Sequence, residues 1–164
     1  GLGDVYKRQG RTLSVRPYFD PHVAVLKLFP GITREVVEAV LSVPSLRGVV
    51  METFGSGNAP MMPWFLDALR AAVARGVVIV NVTQCVTGYV DMTRYETGVL
   101  LEKIGLVSGR DATTEAALTK LMYLLGQGFS SEEVSRLMAI PLRGEMSLDQ
   151  EMEGFSREIS IYRR

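Results

Sequence analysis

Two polar segments of the sequence, each following an apolar run, could contact a small ligand. The first consists of Gly55, Ser56, Gly57 and Asn58, and the second of Thr83, Gln84 and Cys85. The glycines permit positive φ angles, so the first segment could form a nest of backbone N–H groups that suits a carboxylate. An ordinary turn between strand and helix is the competing interpretation. The second segment offers a hydroxyl, an amide and a thiol.

Several kinds of site do not fit these residues. The first segment lacks the third glycine of a dinucleotide fingerprint and the Gly-Lys-Ser/Thr of a phosphate-binding loop. Cys85, which has no histidine near it in sequence, is expected to be a small buried side chain. The one histidine, His22, is expected on the surface. Without clustered ligands we predict no metal site, and the sequence suggests no cofactor.

Three further polar residues have plain structural interpretations. Tyr95 could be a ligand contact or a half-buried aromatic side chain on a helix. Lys120 is expected on the solvated face of a helix. Asn81 matches a glycosylation sequon but is expected inside a buried strand. No nucleophile, base and oxyanion hole come together, so the chain alone is not expected to be catalytic.

The elements that position these residues follow from apolar periodicity. Four strand-like runs, at 23–29, 48–54, 77–82 and 106–107, alternate with helix-like runs. Helices are predicted from Thr33, over 64–73, around 94–103, over 113–125, and from a Ser130–Glu133 capping box to Met138. Strands this apolar are expected to be covered on both faces. The pattern predicts a three-layer α/β/α domain with a four-stranded parallel sheet, of Rossmann-like type. Ligands of such sheets bind beyond the carboxyl ends of the strands.

Bulk properties place the chain among ordinary globular proteins. Its 164 residues suffice for one α/β domain. Basic and acidic residues balance at 18 each, so we expect neither nucleic acid nor a membrane as partner. A single cysteine suits a reducing compartment, and no apolar run is long enough to span a bilayer. These features predict a cytoplasmic protein.

Four strings together resemble the C-terminal half of the type I, or cytoplasmic, L-asparaginases. They are LKLFPGI at 26–32, METFGSGNAP at 51–60, VIVNVTQC at 78–85 and GRDATTEAALTKL at 109–121. Ala112 stands where that family usually has methionine, and Arg143-Gly144-Glu145 resembles its R-G-E. The resemblance runs from about residue 11 to 146. It implies the C-terminal domain of the asparaginase fold over 11–146. Residues 1–10 have no periodicity and are interpreted as a non-native scar or disordered segment, and the increasingly polar residues 147–164 as a tail.

The resemblance also implies a function and a set of partners. In that family the catalytic threonines lie in an N-terminal domain, which we expect to be missing here, and the whole enzyme converts L-asparagine to L-aspartate and ammonia. The C-terminal domain forms a homodimer, or a dimer of dimers, and reaches into the neighbouring active site. Asn58 and Tyr95 are the residues implied to assist substrate binding there.

An allosteric effector site is the other implied feature. It would lie in the crevice around Glu52 and the two polar segments. A basic residue is expected near Glu52 to bind an effector carboxylate, and the acidic side chain departs from that pattern. Two alternatives stay open for the whole chain, namely an amidotransferase subunit of the same superfamily and a stand-alone α/β domain that binds a small regulatory ligand. A receiver domain does not fit, because its acidic positions hold Phe29-Pro30 and Thr83-Gln84.

Overall fold

The fold was established from a computed structural model that describes residues 15–93 and 95–147. The proposed scar at 1–10 and the tail beyond residue 147 lie outside these residues. Four parallel strands form one sheet in the order β1-β2-β3-β4. They are β1 (Val23–Lys27), β2 (Gly48–Thr53), β3 (Val78–Thr83) and β4 (Val107–Ser108).

Five helices cover the two faces of the sheet in the described part of the chain. They are α1 (Arg34–Leu41), α2 (Pro63–Ala74), α3 (Glu96–Ile104), α4 (Thr114–Gly126) and α5 (Ser131–Met138). The first three pack on one face and the last two on the other, with an apolar core in each interface. The predicted three-layer α/β/α architecture is therefore confirmed. None of the described helices is long and apolar enough to cross a bilayer.

The middle of the sheet is the most buried part of the molecule. Phe65, Leu69 and Ile79 fill the core beneath α1–α3, whereas Leu121 and Leu125 fill the core beneath α4 and α5. The strands β2 and β3 are covered on both faces, as their composition predicts. The expectation is wrong for β1, which lies at the edge of the sheet and leaves Val25 42% exposed.

The helix ends show how local sequence sets the loops that flank the site. Thr113 caps α4 by accepting a hydrogen bond from the Ala116 N–H, and Ser130 and Glu133 form the predicted capping box of α5. Thr33 has the backbone geometry of an N-cap, but its side chain makes no cap hydrogen bond. The third helix begins at Glu96 instead of near residue 94, which leaves Tyr95 in the preceding loop as the N-cap.

Candidate functional site

The first polar segment is a tight loop at the carboxyl end of β2. The Phe54 carbonyl accepts hydrogen bonds from the Gly57 N–H at 3.0 Å and the Asn58 N–H at 2.8 Å, while the Phe54 N–H donates to the Asn58 carbonyl at 2.9 Å. Gly55 and Gly57 have φ angles of 52° and 108°, as the glycines predict. Because the N–H groups of Gly57 and Asn58 are used inside the loop, they do not form the anion nest that the sequence suggested.

Every carbonyl between Phe54 and Asn58 has a partner on or after β3. The Gly55 oxygen accepts from the Thr83 hydroxyl at 2.5 Å, and the Ser56 oxygen accepts from the Asp91 N–H at 3.1 Å. The Gly57 oxygen accepts from the Asn81 side-chain amide at 3.1 Å. The loop is thus a rigid platform built on the neighbouring strand.

Asn58 ends this platform with a polar side chain that is available to a ligand. The residue is partly buried, and no residue in the described part of the chain hydrogen-bonds to its side-chain amide. An amide that offers a donor and an acceptor from a fixed backbone can bind a carboxylate or an ammonium group of a small substrate.

In the second polar segment, Thr83 and Gln84 make hydrogen bonds within the fold, whereas Cys85 lies on the surface. The Gln84 Nε2 donates to the Leu28 carbonyl at 2.6 Å and the Glu52 carbonyl at 3.0 Å, which ties the ends of β1, β2 and β3 together. The Thr83 hydroxyl also accepts from the Cys85 N–H at 3.0 Å. Cys85 itself is exposed, so the expectation that it is buried is wrong. Its position beyond the strand end, in a loop of small and polar residues, accounts for the difference.

Glu52 has partners within the fold that explain its acidic side chain. Its Oε1 accepts a hydrogen bond from the Thr114 hydroxyl at 2.6 Å, and its Oε2 lies 3.6 Å from the Lys27 ammonium. Thr114 is the first residue of α4, where a carboxylate is favoured by the helix dipole. Glu52 therefore links Lys27, in the edge strand β1, to the first residue of α4.

Tyr95 lies in the same loop region as the second segment, after β3 and before α3. It is 46% exposed, so it is about half-buried as expected, but it stands outside the helix as its N-cap, and the helical part of that interpretation is wrong. An exposed tyrosine with one apolar face and one hydroxyl is suited to contact a ligand or another protomer.

An open groove of about 580 Å³ between the β1–α1 and β2–α2 loops was not predicted from the sequence. Its apolar wall includes Phe29, Phe54, Met62 and Trp64. Both Phe29, the last residue of the predicted run 23–29, and Met62, just before α2, are half-exposed. The sequence pattern places Trp64 on a predicted helix and Phe29 in a predicted strand. Neither assignment indicates that the side chain lines a groove on the surface.

Lys120 lies on the opposite face of the sheet and is buried, so the expectation of a solvated side chain is wrong. Its ammonium donates to the Met138 carbonyl at 3.2 Å and the Ile140 carbonyl at 2.5 Å, and it lies 2.7 Å from the Glu145 carboxylate. Burial lowers the pKa of Lys120, and the Glu145 carboxylate opposes that shift. The three acceptors come from the last residue of α5 and from the segment that follows it, which sequence periodicity could not bring to α4.

Burial alone would raise the pKa of Glu145, but its partners reverse the shift. The Lys120 ammonium and the N–H groups of Leu142 and Arg143 lower it to about 2.

Within residues 15–93 and 95–147, no three His, Cys, Asp or Glu side chains cluster as metal ligands. His22 is exposed, as predicted, and its Nδ1 lies 2.7 Å from the Asp20 carboxylate.

A family model identifies the family of the domain that carries this site. The glutaminase/asparaginase C-terminal domain matches residues 22–138, which include all four strands and all five helices. The chain belongs to the glutaminase/asparaginase C-terminal domain family.

Solved structures and curated proteins agree with that assignment. L-asparaginase I from Vibrio cholerae superposes on this glutaminase/asparaginase C-terminal domain with a TM-score of 0.78 and 45% identity, over 85% of this chain and 42% of that one. L-asparaginase 1 from Escherichia coli is 41% identical over 84% of this chain and 40% of its own length. The 60 kDa lysophospholipase of Mus musculus is 48% identical over 83% of this chain and 24% of its own length.

Coverage limits what the family assignment says about the whole protein. This glutaminase/asparaginase C-terminal domain spans less than half the length of each of these relatives. The resemblance to type I L-asparaginases is confirmed for the domain, and the roles of its individual residues stay predictions.

Proposed function

We propose that this domain is the C-terminal part of an L-asparaginase, an enzyme that hydrolyses L-asparagine to L-aspartate and ammonia. The catalytic threonines belong to an N-terminal domain, which is this domain's first partner. The observation that carries the proposal is the Asn58 amide, held without a described hydrogen-bond partner on a rigid loop beyond the strand ends.

The role of the domain is to bind and orient the substrate, because amide hydrolysis needs a nucleophile that these residues do not supply. Asn58 donates to or accepts from the charged groups of asparagine, and Tyr95 lies beside the neighbouring protomer's substrate. Both contacts require a homodimer, or a dimer of dimers, in which the crevice of one protomer faces the active site of the next. Positioning of this kind raises the fraction of bound substrate that is ready to react.

The other crevice residues support this role mainly by fixing the loops. Gly55, Gly57 and Thr83 build the platform of Asn58, and Gln84 joins the strand ends. Glu52 is engaged by Thr114 and Lys27, so an effector carboxylate would meet an acidic neighbour there. Cys85 and Ser56 are the crevice residues left to contact an effector. An allosteric site in this protein would therefore depend on side chains other than Glu52.

Amide hydrolysis within an amidotransferase is the second candidate function. A glutamyl-tRNA(Gln) amidotransferase component from Metallosphaera sedula is 36% identical over 95% of this chain and 35% of its own length. That match extends further along this chain than those of the L-asparaginases, which favours keeping the candidate. Both functions release ammonia from an amide, so both would use Asn58 in the same way, to bind the amide substrate.

A chimeric enzyme tests the proposal directly. Residues 15–164 replace the corresponding C-terminal part of the Vibrio cholerae L-asparaginase I, and release of ammonia and L-aspartate from L-asparagine is measured. We expect an active chimera in which Asn58→Ala lowers kcat/KM at least about tenfold, since a hydrogen bond to a charged group contributes roughly 1.5–3 kcal/mol. The control is Thr119→Ala, at an exposed site on α4 where the hydroxyl donates to the Glu115 carbonyl at 2.8 Å, and it should keep the parent KM.

Two results would contradict the proposed function. An inactive chimera that is folded and dimeric would show that this domain does not complete an asparaginase site. Equal kinetics for the parent and Asn58→Ala would remove Asn58 from substrate binding. Ammonia release from glutaminyl substrates but not from L-asparagine would favour the amidotransferase candidate.

A further inference from the structure

Two polar side chains lie fully buried in the otherwise apolar centre of the sheet. Thr53 at the end of β2 and Asn81 in β3 are both 0% exposed. The Thr53 hydroxyl lies 2.6 Å from the Asn81 Oδ1 and 3.0 Å from the Val82 carbonyl. Burying such groups is unfavourable unless they are hydrogen-bonded, so their partners indicate what they are for.

The orientation of the Asn81 amide follows from its second partner. The Gly57 carbonyl can only accept a hydrogen bond, so the atom that faces it at 3.1 Å must be the Asn81 Nδ2. The Oδ1 then faces Thr53, whose hydroxyl donates to it. Thr53 and Gly57 thus hold the Asn81 amide in one orientation.

This contact fixes the peptide unit that precedes Asn58. The unit is planar, with the Gly57 carbonyl on one side and the Asn58 N–H on the other. Asn81 binds the carbonyl from the core, while the Phe54 carbonyl accepts from the Asn58 N–H at 2.8 Å. With both of its polar groups bonded, the plane cannot rotate, and the direction of the Asn58 side chain is set by it.

The packing around Gly57 agrees with a contact that must be close. A Cβ atom at Gly57 would lie 2.7 Å from Val90 Cγ1 and 3.2 Å from Asn81 Nδ2. The residue also has a φ of 108°, which glycine adopts without strain. A side chain here would push the loop away from Asn81.

We propose that Asn81 is a positioning residue, which orients the Asn58 side chain by binding the Gly57 carbonyl from within the sheet. The substrate contact of Asn58 rests on the proposed function, whereas the control of the loop by Asn81 does not. Leucine has the branched shape of asparagine, although its side chain is larger, and it would leave the Gly57 carbonyl without its donor.

Hydrogen exchange on the 164-residue chain tests the loop without any activity. In Asn81→Leu we expect the amides of Phe54, Gly57 and Asn58 to exchange at least about tenfold faster, which corresponds to the loss of about one hydrogen bond. Asn81→Asp retains the acceptor for Thr53 but lacks the donor for Gly57, so at neutral pH it should show the same local effect. This second variant also allows the test to be made if Asn81→Leu does not fold.

Ser131→Ala is the control for these variants. The Ser131 hydroxyl donates to the Gly76 carbonyl at 2.6 Å, before β3 and at the end of the sheet opposite the 54–58 loop. It should leave the exchange of the three loop amides at the parent rate. Unchanged loop exchange in a folded Asn81 variant, or equal acceleration in Ser131→Ala, would overturn the proposal.

Kinetics of the chimera connect the loop to the substrate. Asn81→Leu should raise KM several-fold with a smaller change in kcat, as we also expect for Asn58→Ala, and the double variant should be no worse than the poorer single variant. Additive effects would show that Asn81 does not act through Asn58. If Asn58→Ala is kinetically silent, the proposed function fails, while the exchange measurement still decides the role of Asn81.

Discussion

At the scale of single residues, the ion pair of Lys120 with Glu145 holds the chain segment that follows α5. The Glu145 carboxylate also accepts hydrogen bonds from the N–H groups of Leu142 and Arg143, at 2.9 Å and 2.6 Å. With Lys120 also bonded to the Met138 and Ile140 carbonyls, one buried ammonium joins α4 to the end of α5 and to two points beyond it. Such a pair is sensitive to the loss of either partner.

The stability of the domain is expected to depend on the ionisation of Glu145. Its pKa falls from 4.5 in the unfolded reference to about 2 in the folded state. The folded state therefore binds the proton less tightly, and the stabilisation is complete above about pH 4.5 and lost as pH falls toward 2. We expect a contribution of about 2 kcal/mol, allowing for solvent screening. Urea unfolding at a series of pH values measures it.

Glu145→Gln separates this contribution from that of the other carboxylates. Hydrogen bonds also lower the pKa of Asp20 and Asp111, despite the opposing effect of their burial, so the parent protein loses stability in acid for several reasons. The variant should be less stable than the parent at neutral pH and approach it at the acid end. A stability difference that is the same at all pH values would contradict the assignment.

At the scale of elements, the loop before α3 is held against the helix by a glycine. Gly98 is buried in the first turn of α3, and a Cβ atom there would lie 2.6 Å from the Met92 carbonyl oxygen and 2.7 Å from its Cα. Because these are backbone atoms, the loop could make room only by moving. The close approach fixes how the segment that carries Tyr95 leaves the sheet.

Gly98→Ala is expected to destabilise the domain even though it raises helix propensity. Alanine is favoured over glycine inside a helix by roughly 1 kcal/mol. The clash with Met92 outweighs this, and an overpacked core typically costs about 1–3 kcal/mol, so we expect a net loss of about 1 kcal/mol. Thermal or urea unfolding measures the change. Glu102→Ala, at an exposed site of the same helix, is the control and should be close to neutral; a stabilised Gly98→Ala would disprove the packing argument.

At the scale of the whole molecule, one group of exposed apolar side chains lies where the strands end. Phe29 is 50% exposed, Met61 and Met62 about 42% and 41%, and Val86 is fully exposed. All four belong to the loops that follow β1, β2 and β3. A group of apolar residues on one end of a domain is typical of a surface that another domain or protomer covers.

The isolated 164-residue chain is therefore expected to self-associate in a concentration-dependent manner. Replacing Phe29 by Ser and Met62 by Gln should weaken the association, because both substitutions remove apolar surface from this end. Val43→Ser is the control, since Val43 is similarly exposed, at 43%, but precedes β2 at the other end of the sheet. Sedimentation velocity across a concentration series measures the effect. A monomer at high concentration, or an equal effect of Val43→Ser, would contradict the prediction.

The sequence by itself determined the order of strands and helices, because burial and periodicity are local properties of each segment. Continuous apolar runs specified β2 and β3, and a capping box specified the start of α5. Four motif strings also identified the family from residue types alone. Element ends were less well determined, as the start of α3 at Glu96 shows, since they depend on packing.

Tertiary structure alone decided which polar residues act together. Lys120 and Glu145 are separated by 25 positions in sequence, and Asn81 and Gly57 by 24. Nothing in the local pattern of a helix distinguishes a buried lysine with three acceptors from a solvated one. The predicted anion nest does not form for the same reason. The N–H groups that the nest required donate to the Phe54 carbonyl instead. Hydrogen-bond partners are set by the folded chain, and they decide what each polar side chain can do.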